Sequence, residues 1–493
     1  MSHLEPITIF FDKGTICIKN SKLQHIPQTK TDEKDKKIKR AYGLHYREII
    51  EYFKQSNLEY VNQAPKFLAS PMIETNNLNL RDYQNDAIRN WVNSEMRGCV
   101  ILPTGAGKTA VGIKAIEKVN SSALVIVPTI DLMEQWTENL SKYLNKDTKD
   151  NQTNNKKNII TQIGNLGGGK DDIQPITVAT YDSAYLRAPY VGNQFELIIF
   201  DEVHHLPAPG YRSIAEQMIA PYRLGLTATI QREDNLHELI PTLVGGIVYQ
   251  LGAKYLSEQK HLAEYSINRI QVNLTPEEQK QYDANQSLFM TNMAKLGFRG
   301  SHMNNLKRLI MMSNRNKTAR EGLLARNKAN DIALNSSSKI KELQRILSEN
   351  RFAKTIIFTQ NNKMVYELSD KFLIPFITYK TTKEERQDVL EGFKSGRYST
   401  VVTSKVLDEG IDVPDAELGI IMSGTGSGRE LIQRLGRLLR PKQDGKKAKL
   451  FEIVSMHTKE TNTSAKRITA LRKNTEEHTS QNTVNSKNME NIP

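Results

Sequence analysis

The sequence has few cysteines and no long apolar runs. Cys17 and Cys99 are the only cysteines among 493 residues, which excludes a disulfide framework and a zinc site built from several thiolates. No stretch approaches the roughly 18 consecutive apolar residues of a membrane span. The start, MSHLEPITIFFDKG, lacks the basic segment and apolar run of a signal peptide. These absences favour a reducing compartment, and we expect a cytoplasmic protein with no membrane partner.

Positive charge is plentiful. The formal net charge is +13 and the pI is near 9.3, which favours a polyanionic partner, most often nucleic acid, although a merely soluble basic protein would look the same. Apolar residues make up 38% and charged residues 25% of the chain, as in soluble globular domains. The length exceeds what a single core supports, which predicts about three domains.

The first 75 residues read as a small separate unit. ITIFFDKGTICIK predicts two strands joined by a tight turn. The charge run KTDEKDKKIKR predicts a solvated loop. YREIIEYFKQSNLEYV has apolar residues at helical spacing. We therefore expect a small α+β domain over residues 1–75.

Beyond residue 76, short Val- and Ile-rich runs alternate with helical stretches, which is typical of parallel strands in α/β domains. The first set of runs is GCVILP, ALVIVP, ITVAT, ELIIF and YRLGLTAT, and the second is TIIFTQ, FITYK, TVVTSK, LGIIMSG and AKLFEIV. The pattern predicts one α/β domain over residues 76–255 and another over 336–456. Between them, residues 256–335 would begin the second domain and carry a basic helical insertion, and 457–493 would be a disordered tail.

The segment LPTGAGKT follows an apolar run and precedes a helical stretch. A glycine-rich turn at a helix N-terminus points backbone N–H groups at phosphate oxygens. Lys108 would then reach the β- and γ-phosphates, and Thr109 would hold Mg²⁺. The strict P-loop pattern begins with glycine where this chain has Leu102, and a plain surface turn is the structural alternative. The predicted phosphate-binding residues are Thr104, Gly105, Ala106, Gly107, Lys108 and Thr109.

A second motif, the acidic segment LIIFDEVHH, supplies a candidate metal ligand and a candidate residue to orient the attacking water. Four apolar residues form a predicted buried strand, and Asp201 and Glu202 follow at its carboxyl end, where ligands bind in such sheets. Asp201 would hold the metal, and Glu202 would orient or deprotonate the attacking water. His204 has either a coupling role or a plain structural role in the core.

These segments, in this order, resemble the motifs of superfamily 2 helicases. LRDYQ resembles the adenine-side motif and implies nucleotide contacts for Arg81 and Gln84. VPTIDLMEQW and ATYDS resemble strand-binding motifs, and TAT resembles the coupling motif. IIFTQ, TSKVLDEGIDVP and QRLGRLLRP resemble the motifs of the second motor domain. The resemblance implies two RecA-like parallel-sheet motor domains that use ATP and Mg²⁺.

The arginines of QRLGRLLR recur every three residues and therefore lie near one face of a helix. Guanidinium groups can stabilise charge on a transferring phosphoryl group. By resemblance, Arg437 and Arg440 are such fingers, and Gln433 faces the nucleotide. Gly410 and Asp412 belong to the same cleft. A basic solvated helix face with a buried leucine side fits the pattern too.

Hydroxyl side chains near strand ends are suited to phosphate contacts, which position a strand without reading its sequence. By resemblance, Thr403 and Ser404 face the nucleic-acid backbone. Thr129, Thr180 and Thr359 are candidates for the same contact. Each threonine could instead be a helix cap or an ordinary strand residue.

The segments DEVHHLPAPGYR, APYRLGLTAT and SGRELIQRLGRLLRPK resemble the XPB helicases in particular. That family consists of double-stranded DNA translocases and 3′–5′ helicases of nucleotide excision repair and transcription initiation. The chain resembles the short archaeal or bacterial type, which in archaea pairs with a nuclease. The N-terminal unit then takes the place of the damage-recognition domain, and the basic helical stretch takes the place of the thumb-like insertion.

The triplet Arg-Glu-Asp follows the TAT segment closely, in the position of the RED motif that XPB proteins use for DNA opening. Taken alone, it is a charged turn and would be solvated. By resemblance, its arginine could contact a phosphate, and an acidic neighbour could pair across domains. The predicted coupling and strand-opening residues are His204, Thr227, Ala228, Thr229, Arg232, Glu233 and Asp234.

The resemblance implies a monomeric, nucleoid-associated motor that acts on duplex and single-stranded DNA, with a nuclease as a possible partner. Three alternatives remain open: an ATP-dependent scaffold that recruits a nuclease without unwinding, a restriction-type motor, and an RNA-directed helicase. Phosphate contacts alone do not distinguish DNA from RNA, because the base-independent part of binding is shared.

Overall fold

The computed structural model describes residues 6–20, 25–144, 162–232, 234–252, 265–298, 303–404, 416–423, 448–465 and 469. The chain forms two compact units, with the boundary after residue 255. Within the described ranges, no helix has both the length and the apolar composition needed to cross a bilayer.

The first unit begins with a five-stranded sheet in the order β3-β4-β2-β1-β5, packed on helix α1 (Tyr46–Gln55). The predicted hairpin is confirmed: β1 (Ile7–Asp12) and β2 (Thr15–Lys19) pair antiparallel. Lys13 and Gly14 at the turn have φ of 46° and 83°, the left-handed conformation that a two-residue hairpin turn requires.

The charge run predicted as a solvated loop instead contributes two strands to this sheet. β3 (Lys30–Thr31) and β4 (Ile38–Tyr42) pair antiparallel, while β5 (Tyr60–Asn62) pairs with β1. Arg40 forms ion pairs with Asp12 and Asp32. Backbone N–H groups of the turn and the Arg40 guanidinium lower the pKa of Asp32 to about 2. The prediction failed because the charges are partly paired with one another.

An eight-stranded sheet in the order β13-β6-β12-β11-β7-β10-β8-β9 forms the rest of the first unit. Its strands are parallel except for β9, and all five predicted runs are among them. The strands are β6 (Arg97–Ile101), β7 (Ala123–Val127), β8 (Ile163–Gly167), β9 (Lys170–Asp172), β10 (Ile176–Thr180), β11 (Leu197–Asp201), β12 (Tyr222–Thr227) and β13 (Ile247–Gln250). The helices are α2 (Asp82–Asn93), α3 (Lys108–Val119), α4 (Ile130–Leu144), α5 (Tyr181–Val191), α6 (Arg212–Gln217) and α7 (Ile240–Leu243).

The second unit contains a six-stranded parallel sheet in the order β14-β19-β18-β15-β17-β16. All five predicted runs are strands of it. The strands are β14 (Tyr265–Val272), β15 (Thr355–Phe358), β16 (Phe376–Ile377), β17 (Thr400–Thr403), β18 (Leu418–Ile421) and β19 (Ala448–Ser455). The helices are α8 (Pro276–Lys295), α9 (Met303–Met312), α10 (Lys317–Leu334), α11 (Ser337–Glu349), α12 (Asn362–Phe372) and α13 (Lys383–Ser395).

The chain remains ordered beyond the point where the disordered tail was expected to begin. Residues 459–465 are helical, and Glu460 and Ser464 are buried at 5% and 0% exposure. Glu460 forms an ion pair with Lys339 of α11, and Ser464 donates a hydrogen bond to Glu452 of β19. The start at residue 457 was therefore wrong, because these polar side chains find partners inside the second unit.

Candidate nucleotide-binding and coupling site

The segment predicted to bind phosphate lies between strand β6 and helix α3, in the predicted strand–loop–helix order. Gly105 and Gly107 have φ of 83° and 76°, and Lys108 is the first residue of α3. A Cβ atom at Gly107 would lie 2.4 Å from the Gln84 side-chain nitrogen. Glycine is therefore required there both by backbone conformation and by space.

The segment LRDYQ holds this loop from one side. Gln84 Nε2 and Tyr83 Oη both donate to the Ala106 carbonyl, at 2.8 and 3.0 Å. The Arg81 backbone N–H donates to Gln84 Oε1 at 2.9 Å, and the Arg81 guanidinium donates to Tyr83 Oη at 3.1 Å. The predicted residues Arg81 and Gln84 are thus beside the loop. Sequence reasoning missed Tyr83, for which adjacency to Gln84 was the available signal.

The acidic pair lies at the carboxyl end of β11. Glu202 has a left-handed backbone (φ 48°, ψ 53°), a conformation uncommon for non-glycine residues and frequent at functional sites. Its Oε1 is 3.7 Å from Lys108 Nζ. Trp136 Nε1 donates to Asp201 Oδ2 at 2.8 Å, an interaction that sequence reasoning missed. The lysine and both carboxylates are therefore assembled at one strand end.

The two carboxyl groups have opposite electrostatic environments. Burial and the negative charge of Glu202 raise the pKa of Asp201 to about 6. Burial alone would raise the pKa of Glu202 too, but Lys108 and the adjacent His204 outweigh it and lower that pKa. A divalent cation beside Asp201 would offset this repulsion, and carboxylate and hydroxyl oxygens are the ligands Mg²⁺ prefers. Asp201 and Thr109 fit that role chemically.

Thr227, the first residue of the TAT segment, connects the acidic pair to its surroundings. Its hydroxyl lies 3.2 Å from Glu202 Oε2, 3.0 Å from His204 Nδ1 and 2.8 Å from the Thr229 carbonyl. The Thr229 N–H donates back to it at 3.2 Å. His204 and Thr227 are fully buried, and Ala228 lies half-buried between the two threonines. The structure thus brings four predicted coupling residues together.

The RED segment is bonded to this cluster. Arg232 donates through Nη1 to the His204 carbonyl. Its Nε and Nη2 donate to the two carboxylate oxygens of Asp234 at 2.9 and 2.7 Å. The Arg232 side chain is 17% exposed, so the solvated-turn alternative is wrong for it. Asp234 pairs here with Arg232 of the same triplet, and pairing of an acidic residue of the triplet across domains stays a prediction.

The hydroxyl residues expected at the nucleic acid are mostly occupied inside the fold. Thr129 accepts the Leu132 N–H at 3.3 Å, and Thr180 caps α5. Thr359 and Thr403 have no exposed surface, and Ser404 is 5% exposed. The side chains of Thr359 and Thr403 face the interior in this conformation, and nucleic-acid contact by either residue stays a prediction. Their hydroxyls bond Ser423 and the Ser404 carbonyl instead.

Some predicted site residues lie outside the described ranges. They are Glu233, Gly410, Asp412, Gln433, Arg437 and Arg440.

A P-loop and an acidic strand end in a doubly wound parallel sheet define a nucleotide-hydrolysing motor of the RecA-like class. Three family models match the chain: "Xeroderma pigmentosum group B helicase damage recognition domain" over residues 9–64, "Type III restriction enzyme, res subunit" over 77–232, and "ERCC3/RAD25/XPB C-terminal helicase" over 323–488. Together with the sequence identity to known members, these matches show that the chain belongs to the XPB family of helicases.

The "DNA 3'-5' translocase XPB2" of Sulfurisphaera tokodaii is 44% identical over 427 residues, which cover 87% of this chain and 93% of the relative. The "DNA 3'-5' helicase XPB" of Kineococcus radiotolerans is 31% identical over 79% of this chain and 62% of its own length. The yeast "General transcription and DNA repair factor IIH helicase/translocase subunit XPB/SSL2" is 28% identical over 79% of this chain and 43% of its own length.

Proposed function

We propose that this chain is an ATP-driven DNA translocase and 3′–5′ helicase. The observation that carries the proposal is the connected cluster in which Glu202 meets Lys108 on one side and Thr227 on the other. Thr227 in turn contacts His204, whose carbonyl accepts from Arg232. Such a cluster joins the hydrolysis site to the segment predicted to open strands, and relatives named as 3′–5′ helicases and translocases support the same activity.

The chemistry follows from the side chains. Backbone N–H groups of residues 104–109 and the Lys108 ammonium bind the phosphate oxygens of ATP. Glu202, whose lowered pKa keeps it ionised at neutral pH, accepts a hydrogen bond from the attacking water and orients it. Asp201 and Thr109 would hold Mg²⁺, which neutralises charge on the phosphate oxygens when bound.

We extend the proposal to the remaining residues of the nucleotide site, to the roles of the domains and to the cellular process. Gln433, Arg437 and Arg440, with Gly410 and Asp412, complete the nucleotide site from the second motor domain. Residues 1–75 are the damage-recognition domain, 76–255 and 336–456 are the motor domains, and 256–335 carry the thumb-like insertion. The protein works as a monomer at the prokaryotic nucleoid in nucleotide excision repair. We extend the proposal to transcription and to a nuclease partner.

The site is tested with Lys108→Ala and Glu202→Gln. Both changes should lower DNA-stimulated ATP hydrolysis by about 100-fold or more, because each removes a group that acts on the transferring phosphate or the water. DNA binding, followed by anisotropy of a labelled duplex, should persist. Lys118→Ala is the matched control, since this lysine is exposed on the same helix, α3. Near-normal turnover in either site variant would refute the assignment.

The substrate is tested by comparing ATPase stimulation by duplex DNA, single-stranded DNA and RNA, each over a salt series. DNA should stimulate, and stimulation should fall steeply with salt because binding releases counterions from phosphates. Stimulation by RNA alone would overturn the proposal. DNA-stimulated hydrolysis without unwinding of a tailed duplex would favour the translocating scaffold over the helicase.

A further inference from the structure

Four rings form a continuous series that begins beside the acidic pair. His204 and His205 have ring centroids 4.3 Å apart. His205 lies 5.9 Å from Tyr181, and Tyr181 lies 5.2 Å from Tyr211. Tyr181 is the first residue of α5 and is 1% exposed. The series therefore runs from the hydrolysis site to the first turn of a neighbouring helix.

Two hydrogen bonds fix this series at the same helical turn. Tyr181 Oη donates to the Asp201 carbonyl at 3.1 Å. Tyr211 Oη donates to Asp182 Oδ1 at 2.6 Å. The Asp182 carboxylate raises the pKa of Tyr211 to about 12, so this phenol remains a donor throughout the range in which the protein can be assayed. Tyr181 is thus bonded to the last residue of β11. The next residue of α5, Asp182, is bonded to Tyr211 in the segment that follows β11.

The same turn carries Thr180, the cap of α5 and a predicted contact for nucleic acid. The segment 202–211 is consequently held at both ends. Thr227 holds it at Glu202, and Asp182 holds it at Tyr211. His204 and Tyr181 are buried, and His205 and Tyr211 are half-buried. Because packed groups shift together rather than deform individually, a displacement of the first turn of α5 is transmitted to the segment that contains Glu202.

We propose that Tyr211 is a positioning residue that couples strand binding at the start of α5, where the segment ATYDS was predicted to contact nucleic acid, to the placement of Glu202. The inference rests on the proposed function, because it presumes that nucleic acid stimulates hydrolysis. Tyr211 touches neither nucleotide nor metal ligands in this role. It acts through Asp182 and the packed rings, and its loss should affect stimulation rather than basal turnover.

The test is Tyr211→Phe in the full chain, assayed for ATP hydrolysis across a titration of duplex DNA. The ring and its packing against Tyr181 are retained, and only the hydrogen bond to Asp182 is lost. Maximal stimulation should fall about threefold or more, within the roughly two- to tenfold range that one typical hydrogen bond contributes. Basal hydrolysis and the DNA concentration for half-maximal stimulation should stay near the unmodified values. A role in DNA binding alone would instead raise that concentration and leave the maximal rate intact.

Variants of Asp182, the hydrogen-bond partner of Tyr211, test the same contact from its other side. Asp182→Asn retains an acceptor oxygen for the phenol and should preserve most of the stimulation, whereas Asp182→Ala should lose it. Combining Tyr211→Phe with Asp182→Ala should cost no more than either change alone, because both remove the same contact. Tyr190→Phe is the matched control, since Tyr190 lies on the same helix and is 65% exposed.

The possible outcomes distinguish the coupling role of Tyr211 from the proposed helicase activity. Full stimulation in Tyr211→Phe, or additive losses in the double variant, would overturn the inference and leave the proposed function standing. Absence of stimulation by any DNA in the unmodified chain would overturn the proposed function, and the coupling inference with it.

Discussion

Arg223 lies in β12, and its side chain is fully buried. Its guanidinium group donates hydrogen bonds to four backbone carbonyl groups. These carbonyls lie in or just after α6, or at the last residue of α7, where helical C=O groups have no intrahelical donor. One cation thus caps two helices and ties them to the strand that leads to Thr227. The accepting carbonyls are those of Ala215, Met218, Ala220 and Leu243, at 2.7 to 3.2 Å.

We expect Arg223→Met to lower the free energy of unfolding of the first unit by about 3 kcal/mol or more, because it leaves several buried carbonyls unsatisfied. Urea unfolding followed by tryptophan fluorescence measures this directly, since Trp91 and Trp136 are the only tryptophans and both lie in that unit. Arg89→Met, at a side chain that is 68% exposed, should change it by less than about 0.5 kcal/mol. Equal midpoints for the two variants would contradict the capping role.

Residues within one motif were predictable, while residues joined across the fold were not. Lys108, Asp201 and Glu202 were identified because their chemistry depends on a short local pattern and on the end of a strand. Trp136 donates to Asp201 from 65 positions away, and no local spacing signals such a contact. For Arg223 the sequence predicted only a place in a strand, since its burial depends on where α6 and α7 end.

At the scale of elements, the segment after β19 is held by a buried ion pair. Lys339 Nζ of α11 lies 2.6 Å from Glu460 Oε1, with 0% and 3% of the two side chains exposed. The same ammonium donates to the Met422 carbonyl at 2.7 Å, and the Ser455 N–H donates to Glu460 at 2.9 Å. Buried charges of this kind are tolerated only when each is paired and hydrogen-bonded.

Glu460→Gln should therefore destabilise the second unit by about 3–5 kcal/mol, because it leaves the Lys339 ammonium buried without its counter-charge. The double variant Lys339→Met with Glu460→Met should be less destabilised than the single one. Hydrogen exchange of α11 amides reports the opening free energy of this unit. For comparison, Glu349→Gln breaks an exposed pair with Arg345 and should cost less than about 1 kcal/mol. Similar exchange in all three variants would show that the buried pair contributes nothing.

Elements with strong apolar patterning were predictable, and those defined by paired charges were not. All ten Val- and Ile-rich runs are parallel strands, because a strand covered on both faces must be continuously apolar. The lysine-rich run over residues 30–40 and the polar stretch over residues 457–465 were both expected to be unstructured. Each instead satisfies its charges within the fold, through Arg40 in one case and Glu460 in the other.

For the molecule as a whole, the order of the motifs predicted two parallel-sheet units, and both are present. The position of the RED segment relative to the acidic pair was not predictable from its sequence. Arg232 follows His204 by 28 positions and nevertheless donates to its carbonyl. Because β11 and β12 are adjacent parallel strands, their carboxyl ends place the two segments side by side.

Because the RED segment lies beside the acidic pair without belonging to it, strand opening can be separated from hydrolysis in the intact motor. Changing residues 232–234 together to alanine removes the Arg232–Asp234 pair and the bond to His204, but leaves Lys108, Glu202 and Thr227 in place. Basal ATP hydrolysis should stay within about twofold, while unwinding of a tailed duplex should slow by about tenfold or more, since tenfold corresponds to only about 1.4 kcal/mol of lost coupling. Stopped-flow strand separation and steady-state hydrolysis on the same preparation measure both quantities. An equal loss of both would mean that the triplet supports the hydrolysis site itself, through His204, and has no separate role in opening DNA.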